Sequence, residues 1–124
     1  MKIESSVSSY ILTTTARKHL REAKIWSRTR WGKELTTQYF HDLEKAALYL
    51  ASHHHQSAKR QELSGENGLN AYPVREHYII YVPVSNQKIV IVAFIRQTRD
   101  IPTLLRKYAY LFKKELGEIR RNIN

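Results

Sequence analysis

The sequence predicts an α+β fold: a small antiparallel sheet with an N-terminal strand, a two-helix hairpin packed on one face, a three-stranded meander and a C-terminal helix. Two amphipathic helical patterns follow each other in the first half of the chain. Two apolar runs joined by a short polar turn fill much of the second half, and a third helical pattern comes last. With 124 residues, the chain can bury one core, so we expect a single domain over residues 1–124.

The first half of the chain predicts a strand followed by two helices. Residues 1–9 are polar and are predicted to be loose, whereas the β-forming residues 10–13 predict a short strand. Apolar residues at helical spacing then predict a first helix, which Thr14 or Thr15 would cap and which would end at the tripeptide RWG. A second helix is predicted over residues 35–50. Because only a glycine turn separates the two helices, they should form a hairpin.

The second half predicts the meander. Residues 52–70 lose all periodicity and are rich in Ser, Gly, Asn and His, which is typical of a loop. Strands are predicted at residues 71–74, 78–84 and 88–95, and the short turn SNQ joins the last two as a β-hairpin. Pro83 within the second of these strands favours an edge position or a distortion there.

A long amphipathic and basic helix is predicted over residues 101–124. Asp100 precedes it as an N-cap, and Pro102 favours a helix start at this point. Apolar residues recur at helical spacing and form a stripe, whereas most of the lysines and arginines lie off it. Packing in the core is the expected role of this stripe, with partial coverage by a partner protein as the alternative.

The composition indicates a soluble protein with an acidic partner. Lys and Arg number 21 against 11 Asp and Glu, and the resulting formal net charge of +10 favours nucleic acid, the ribosome or an acidic protein segment. The absence of cysteine excludes disulfides and thiolate zinc sites. No apolar run is long enough for a bilayer and no signal peptide is recognisable, so we expect a cytoplasmic protein without a membrane partner.

Three consecutive histidines, His53 to His55, form the candidate metal site of the sequence. Adjacent residues of regular structure point in different directions, so the three imidazoles cannot all bind one ion, and no fourth ligand has a recognisable spacing. A solvated helix end is the preferred interpretation, because the helix dipole favours cationic side chains there. We therefore expect neither a metal nor another cofactor.

Arginines cluster where the last strand leaves the predicted core. Seven apolar residues, Ile89 to Ile95, are followed directly by Arg96 and then by Arg99. Arg75 starts the neighbouring antiparallel strand, which brings it close to the same end of the sheet. Each arginine alone could equally be a solvated surface charge. Three of them at one end of a sheet in a strongly basic protein predict a binding patch.

Four short segments carry a resemblance to a known family: LTTTA at residues 12–16, RWG at 30–32, EHYIIYVPV at 76–84 and IRQTRDI at 95–101. Their order and spacing over residues 10–105 resemble the RelE/ParE superfamily of bacterial toxins, and the ParE branch most closely. The sequence departs from the family pattern at Arg96, where a histidine is common. The C-terminal helix is also longer than the usual short tail.

The resemblance implies the toxin of a type II toxin–antitoxin pair of the plasmid stabilisation type, neutralised by a cognate antitoxin with an acidic segment. ParE-like toxins inhibit DNA gyrase, whereas RelE-like toxins cleave messenger RNA on the ribosome. The residues expected to contact the target are Arg75, Arg96 and Arg99. The candidates for antitoxin binding are Tyr108, Phe112 and Lys113.

A ribosome-dependent endoribonuclease is the first alternative to gyrase binding. Cleavage through a 2′-hydroxyl needs a base, an acid and cations around the phosphorane. Cations are plentiful, and Lys59 and Arg60 add two in the predicted loop. Tyr108 lies on the apolar stripe, nothing aims Tyr110, and His77 begins a strand instead of ending one. We therefore predict no catalytic residues and a binding inhibitor in place of an enzyme.

A non-toxic basic domain that binds nucleic acid is the second alternative, since it needs the same cationic surface. Aromatic side chains interleaved on one sheet face would favour it. Tyr78 and Tyr81 lie on opposite faces of their strand, so the sequence predicts no stacking platform.

Overall fold

A computed structural model of the protein describes residues 8–56 and 68–123. The elements in chain order are β1 (Ser9–Leu12), α1 (Thr14–Trp31), α2 (Lys33–His53), β2 (Asn70–Val74), β3 (His77–Ser85), β4 (Lys88–Arg96), α3 (Ile101–Lys107) and α4 (Ala109–Ile123). A short 3-10 turn at His54–Gln56 follows α2. Most of the segment predicted to be loose, 1–9, and much of the predicted loop, 52–70, lie outside the described residues.

The predicted helical hairpin is confirmed. Its cap is Thr13 instead of Thr14 or Thr15: Thr13 Oγ1 accepts a hydrogen bond from the backbone N–H of Ala16 at 3.0 Å. This bond satisfies one of the donors that the first turn of a helix leaves unpaired. Gly32 separates the helices with a φ of 87°, a conformation that favours glycine. One residue is therefore enough to turn the chain from α1 into α2.

The described residues form a sheet of four strands in the order β1-β4-β3-β2. The meander of β2, β3 and β4 is antiparallel, as predicted, whereas β1 runs parallel to β4. The sheet is therefore mixed and not antiparallel throughout, within an α+β fold that is otherwise as predicted. Parallel neighbours need a long crossover between them, and the helical hairpin with β2 and β3 provides it.

A β-bulge interrupts β4 at Val92. Tyr81 of β3 pairs with Ile91, but the preceding residue, Ile80, pairs with Ala93. Val92 therefore has no partner across the ladder and is the extra residue of the bulge. Both Val92 and Ala93 belong to the same apolar cluster, although neighbours in a regular strand face opposite sides.

The bulge determines which face of the sheet Arg96 occupies. Before it, Ile91 faces α1 and α2; after it, Phe94 faces the same two helices although it stands three positions further along. Arg96 follows Phe94 by two positions and shares its face. Its partner across the ladder is His77, the first residue of β3.

The sheet separates two apolar cores. The core under α1 and α2 contains Ala16, Ala47, Leu50, Ala51, Ile79, Tyr81, Ile89, Ile91 and Phe94. The core under α3 and α4 contains Leu69, Ala71, Ile80, Val82, Val90, Val92, Ala93, Ile95, Ile101, Leu105, Phe112 and Leu116. Most of the apolar stripe of the C-terminal segment thus packs in the core, as predicted, whereas Tyr108 and Leu111 are exposed.

The C-terminal segment forms two helices instead of the single helix predicted over residues 101–124. Tyr108 separates α3 from α4, with φ −103° and ψ 14°. Asp100 caps α3 as predicted, because its Oδ1 accepts from the backbone N–H of Thr103 at 3.3 Å and its Oδ2 from the Thr103 hydroxyl at 2.8 Å. These two bonds lower the pKa of the Asp100 carboxyl.

Candidate target-binding groove

A groove lies beside the end of β4, between α1 on one side and α3 and α4 on the other, with a volume of about 500 Å³. It exists because β1 is shorter than β4: β1 ends at Leu12, which pairs with Ile91. Beyond that pair, no strand of the described residues covers the edge of β4. Side chains of α1, β4, α3 and α4 surround the space that is left.

Two side chains, one just before α1 and one within it, form hydrogen bonds with backbone groups on the uncovered edge of β4. Thr13 Oγ1 donates to the carbonyl of Val92 at 3.2 Å. His19 Nδ1 accepts from the backbone N–H of Phe94 at 3.2 Å. An unpaired strand edge that carries free donors and acceptors invites pairing with another chain. Thr13 and His19 therefore both fix α1 to β4 and close part of this edge.

Arg96 leaves the end of β4 and lies against α1. The carbon at the centre of its guanidinium is 4.1 Å from the centroid of the Trp26 ring, a cation–π contact. Its Nη2 is 3.9 Å from Glu76 Oε1. Its Nε is buried and has no hydrogen-bond partner among the described residues. Arg96 also lines the groove.

Arg99 lies in the exposed turn between β4 and α3 and lines the same groove. Its backbone N–H donates to the carbonyl of Arg96 at 3.0 Å, which holds the two residues in one tight turn. In the part of the chain that the structure describes, the Arg99 guanidinium has no ion-pair partner. The sheet end and its turn thus bring Arg96 and Arg99 together.

Arg75 takes a different direction. It lies in the turn between β2 and β3 with a φ of 55°, and its guanidinium forms an ion pair with Asp42 of α2, in which Nε and Nη2 both donate to Asp42 Oδ2. The Arg75 bonds lower the pKa of the Asp42 carboxyl. The same guanidinium lies 5.9 Å from the centroid of the Tyr39 ring. Arg75 is therefore at the predicted end of the sheet but does not line the groove.

A buried pair, Tyr39 and His77, supports the start of β3. The Tyr39 hydroxyl accepts from the backbone N–H of Glu76 at 3.3 Å and makes a short hydrogen bond with Nδ1 of His77. Burial raises the pKa of Tyr39 to about 12. Burial first, and then the charges of Arg96 and His19, lower the pKa of His77 to about 4. At neutral pH both groups are uncharged. Among the described residues, Nδ1 of His77 is the only acceptor within reach of the Tyr39 hydroxyl, so the network is satisfied when the hydroxyl donates to Nδ1 and the His77 proton is on Nε2.

His19 is held in the same tautomer. Its Nδ1 must carry a lone pair to accept from Phe94 N–H, so its proton is on Nε2. Burial is the largest cause that lowers the pKa of His19, and the nearby charges of Lys18 and Arg99 act in the same direction, whereas Glu22 and Glu115 oppose it. His19 was not among the site residues predicted from the sequence. The available signal was its spacing of three residues from Ala16 on the apolar face of α1.

The three residues predicted to bind an antitoxin have different surroundings. Tyr108 is 42% exposed and stands at the break between α3 and α4. Lys113 is exposed on α4. Phe112 is only 2% exposed and belongs to the core under α3 and α4. Tyr108 and Lys113 therefore lie on the surface, while Phe112 lies beneath it.

The histidine run is the solvated helix end that the sequence predicted only in part, because His55 is exposed whereas His54 is not. His54 is buried, and its Nε2 donates to the carbonyl of Ser85 at 2.7 Å, which ties the end of α2 to the end of β3. The His53 ring stacks on Tyr49 with centroids 4.3 Å apart. Within residues 8–56 and 68–123, no three His, Cys, Asp or Glu side chains are grouped so that they could hold a metal ion. In the same residues, no helix is both long and apolar enough to span a bilayer.

Comparisons with known proteins agree with this fold. A chain described as "Chromosomal ParDE TA system from P. aeruginosa" superposes with a TM-score of 0.60 at 18% identity, over 73% of this chain and 97% of that one. At this identity the likeness shows the fold alone. No curated protein matches the chain. A family model described as "ParE toxin of type II toxin-antitoxin system, parDE" matches residues 10–101, which is most of the chain. The chain therefore belongs to the ParE toxin family of type II toxin–antitoxin systems.

Proposed function

We propose that this protein stops bacterial growth in the cytoplasm by binding DNA gyrase, and that a cognate antitoxin neutralises it. Membership of the ParE family supports a toxin. The observation that carries the gyrase proposal is the pair Arg96 and Arg99, which share one turn at the rim of one groove. Arg75 extends this basic end of the sheet towards α2, where Asp42 already neutralises it. We therefore expect Arg96 and Arg99 to contribute more to target binding than Arg75.

The protonation states of the two groove histidines and of Tyr39 favour target binding over ribonuclease chemistry. General base catalysis needs a group that can take a proton near neutral pH. Both groove histidines use Nδ1 as an acceptor within the protein, which leaves Nε2–H as a donor. Tyr39, with a pKa of about 12, keeps its proton. The two histidines can hold an anion, but neither they nor Tyr39 accept a proton from a 2′-hydroxyl in this arrangement.

The proposed antitoxin surface is the outer face of α4 and the break that precedes it. Tyr108 and Lys113 are exposed there, and the last turn of α4 adds Arg120 and Arg121. An acidic segment would complement these cations. Phe112 would support this surface from below by holding α4 on the sheet.

Induced expression without an antitoxin, followed by pulse labelling of DNA and protein synthesis, tests the proposal. Gyrase binding predicts that DNA synthesis stops first and that the purified protein inhibits supercoiling. If protein synthesis stops first, the ribosome-dependent ribonuclease is the correct alternative. If growth is unaffected, the toxin proposal fails and a non-toxic nucleic-acid-binding domain becomes the better explanation.

The arginine assignment has its own test. We expect Arg96→Ala/Arg99→Ala to abolish growth inhibition while the protein stays folded, as judged by circular dichroism. Arg120→Ala/Arg121→Ala is the matched control, because it removes the same charge from the far end of α4 and should remain toxic. Full toxicity of a folded Arg96→Ala/Arg99→Ala variant would show that these arginines do not bind the target.

A further inference from the structure

The groove beside β4 carries an arrangement of donors that gyrase binding does not require. His19 and His77 both line it, and each turns its Nδ1 towards a protein partner. One ring carbon separates Nδ1 from Nε2 in an imidazole, and Nε2 lies on the side of the ring away from Cγ. A hydrogen bond at Nδ1 therefore leaves Nε2 available. Among the described residues, neither Nε2 has a hydrogen-bond acceptor. The groove thus contains two N–H donors that the protein leaves unused.

The charged residues of the groove favour an anion. Three cations, Lys18, Arg96 and Arg99, line it against one carboxylate, Glu22. Trp26 holds the guanidinium of Arg96 in place, so this charge is ordered before any ligand arrives, and preorganisation lowers the cost of binding. Guanidinium groups and neutral N–H donors together are well suited to phosphate oxygens.

The opposite wall of the groove is apolar. It is lined by Leu104 of α3, by Tyr108 at the break between the helices and by Leu111 of α4. Tyr108 and Leu111 are 42% and 37% exposed. A flat base can pack on such a wall, since base–aromatic stacking stabilises many single-stranded complexes. The groove volume of about 500 Å³ also falls in the range of small-ligand sites.

We infer that this groove binds a nucleotide: Arg99 and the Nε2–H groups of His19 and His77 hold its phosphate, and the wall of Leu104, Tyr108 and Leu111 packs against its base. This inference goes beyond gyrase inhibition and does not depend on it. The phosphate can belong to a free nucleotide or to a single-stranded oligonucleotide. Because both imidazoles act as donors, the site binds the phosphate without cleaving its ester.

Titration of the purified, full-length protein while the histidine side-chain 15N–1H signals are recorded tests the site directly. With 5′-AMP as probe, the Nε2 signals of His19 and His77 should shift and saturate together. Inorganic phosphate should give the same shifts at higher concentration, and adenosine should give none. Non-specific attraction of anions to a protein of net charge +10 would not select these two nitrogens.

Two arginine variants of equal charge provide the matched comparison. Arg99→Ala should weaken 5′-AMP binding by about tenfold, because it removes a charge-assisted contact. Arg75→Ala removes the same charge outside the groove and should leave the affinity within about twofold of the original. A short oligoadenylate that binds much more tightly than 5′-AMP would identify the nucleic acid strand as the source of the phosphate, and equal affinities would identify the free nucleotide.

Either of two results would overturn the inference. One is the absence of a saturable shift at both Nε2 atoms with every probe up to about 10 mM, a concentration at which even weak sites fill. The other is equal weakening by Arg99→Ala and Arg75→Ala, which would mean that overall charge alone attracts the probe. Neither result bears on gyrase inhibition, which the supercoiling assay measures separately.

Discussion

The two faces of the sheet are held by different interactions. Under α3 and α4, the described contacts are those of an apolar core, with Leu105, Phe112 and Leu116 packed on the strands. Under α1 and α2, an apolar core is joined by buried polar side chains such as Thr13, Tyr39 and His77, all with hydrogen-bond partners. Both faces cover the same strands, but among the described residues the buried and half-buried hydrogen bonds from helix side chains to the strand ends lie on the face under α1 and α2.

This difference indicates a division of roles. Apolar burial stabilises the fold but has little directional preference, so the face under α3 and α4 contributes mainly to stability. Hydrogen bonds fix positions and angles. The face under α1 and α2 holds the start of β3 and the end of β4, where His77 and Arg96 pair across the ladder. We therefore expect changes on this second face to affect the groove as well as the free energy of unfolding.

The largest expected effect on the free energy of unfolding comes from the face under α3 and α4. Phe112→Ala should lower the free energy of unfolding by roughly 3–5 kcal/mol, because it removes a fully buried ring and leaves a cavity. Leu111→Ala, at a 37% exposed neighbour, should cost much less. Urea denaturation of both variants measures the difference. Equal losses would mean that α4 does not depend on its buried stripe.

Acid should destabilise the other face through His77. Its pKa is about 4 in the folded protein, against an ordinary value of 6.5 for histidine, so between these values the unfolded chain binds more protons than the folded one. Stability should therefore fall as the pH is lowered from 6.5 to 4, by roughly 3 kcal/mol in total from this group.

Urea denaturation across this pH range, compared between the original protein and His77→Gln, isolates that contribution. The variant should be less stable at neutral pH but should lose less stability on acidification. Phe112→Ala serves as control, since its pH dependence should match that of the original protein. Parallel profiles for His77→Gln and the original protein would show that His77 does not titrate as its burial predicts.

A smaller effect is expected for the Tyr39 hydroxyl. Tyr39→Phe leaves Nδ1 of His77 and the backbone N–H of Glu76 without their partner, which should cost about 1–3 kcal/mol. Tyr49→Phe, on the exposed side of the same helix, should leave stability unchanged. The histidine 15N–1H signals give a second measurement, because loss of the hydroxyl should alter His77 and leave His53 unaffected.

The smallest effect is predicted for the exposed ion pair of Arg75 and Asp42. Arg75→Ala should leave the midpoint of urea denaturation unchanged, since solvent and salt screen such pairs. Growth inhibition should also persist, in contrast to Arg96→Ala/Arg99→Ala. Loss of toxicity in a stable Arg75→Ala variant would place Arg75 among the principal target contacts.

Periodicity was sufficient to predict most of the fold. The helical hairpin and the meander have local signals: apolar spacing, the glycine at position 32 and the polar turn before Lys88. The parallel pairing of β1 with β4 has no such signal, because strand direction depends on how the crossover returns. The break at Tyr108 interrupts a continuous amphipathic pattern, and nothing in the sequence predicts it.

The groove could be predicted only in part, because its position depends on the bulge. In a regular strand, polar and apolar residues alternate, but Ile89 to Ile95 are all apolar, so the pattern cannot locate an extra residue. The partner of His19 is the backbone N–H of Phe94, which no side-chain pattern reveals. Arg75 was predicted at the correct end of the sheet, but its pairing with Asp42 across 33 positions depends on a turn of positive φ.

The bulge at Val92 also makes this surface sensitive to insertion. Removing Val92 would restore an uninterrupted ladder and leave Arg96 opposite His77, whereas adding one residue between Ala93 and Arg96 would move Arg96 to the opposite face of the sheet, away from Trp26 and His77. The composition would hardly change, and most of the core could still form. In this protein, the chemistry of one end of the molecule is therefore decided by the number of residues in a strand as much as by their identity.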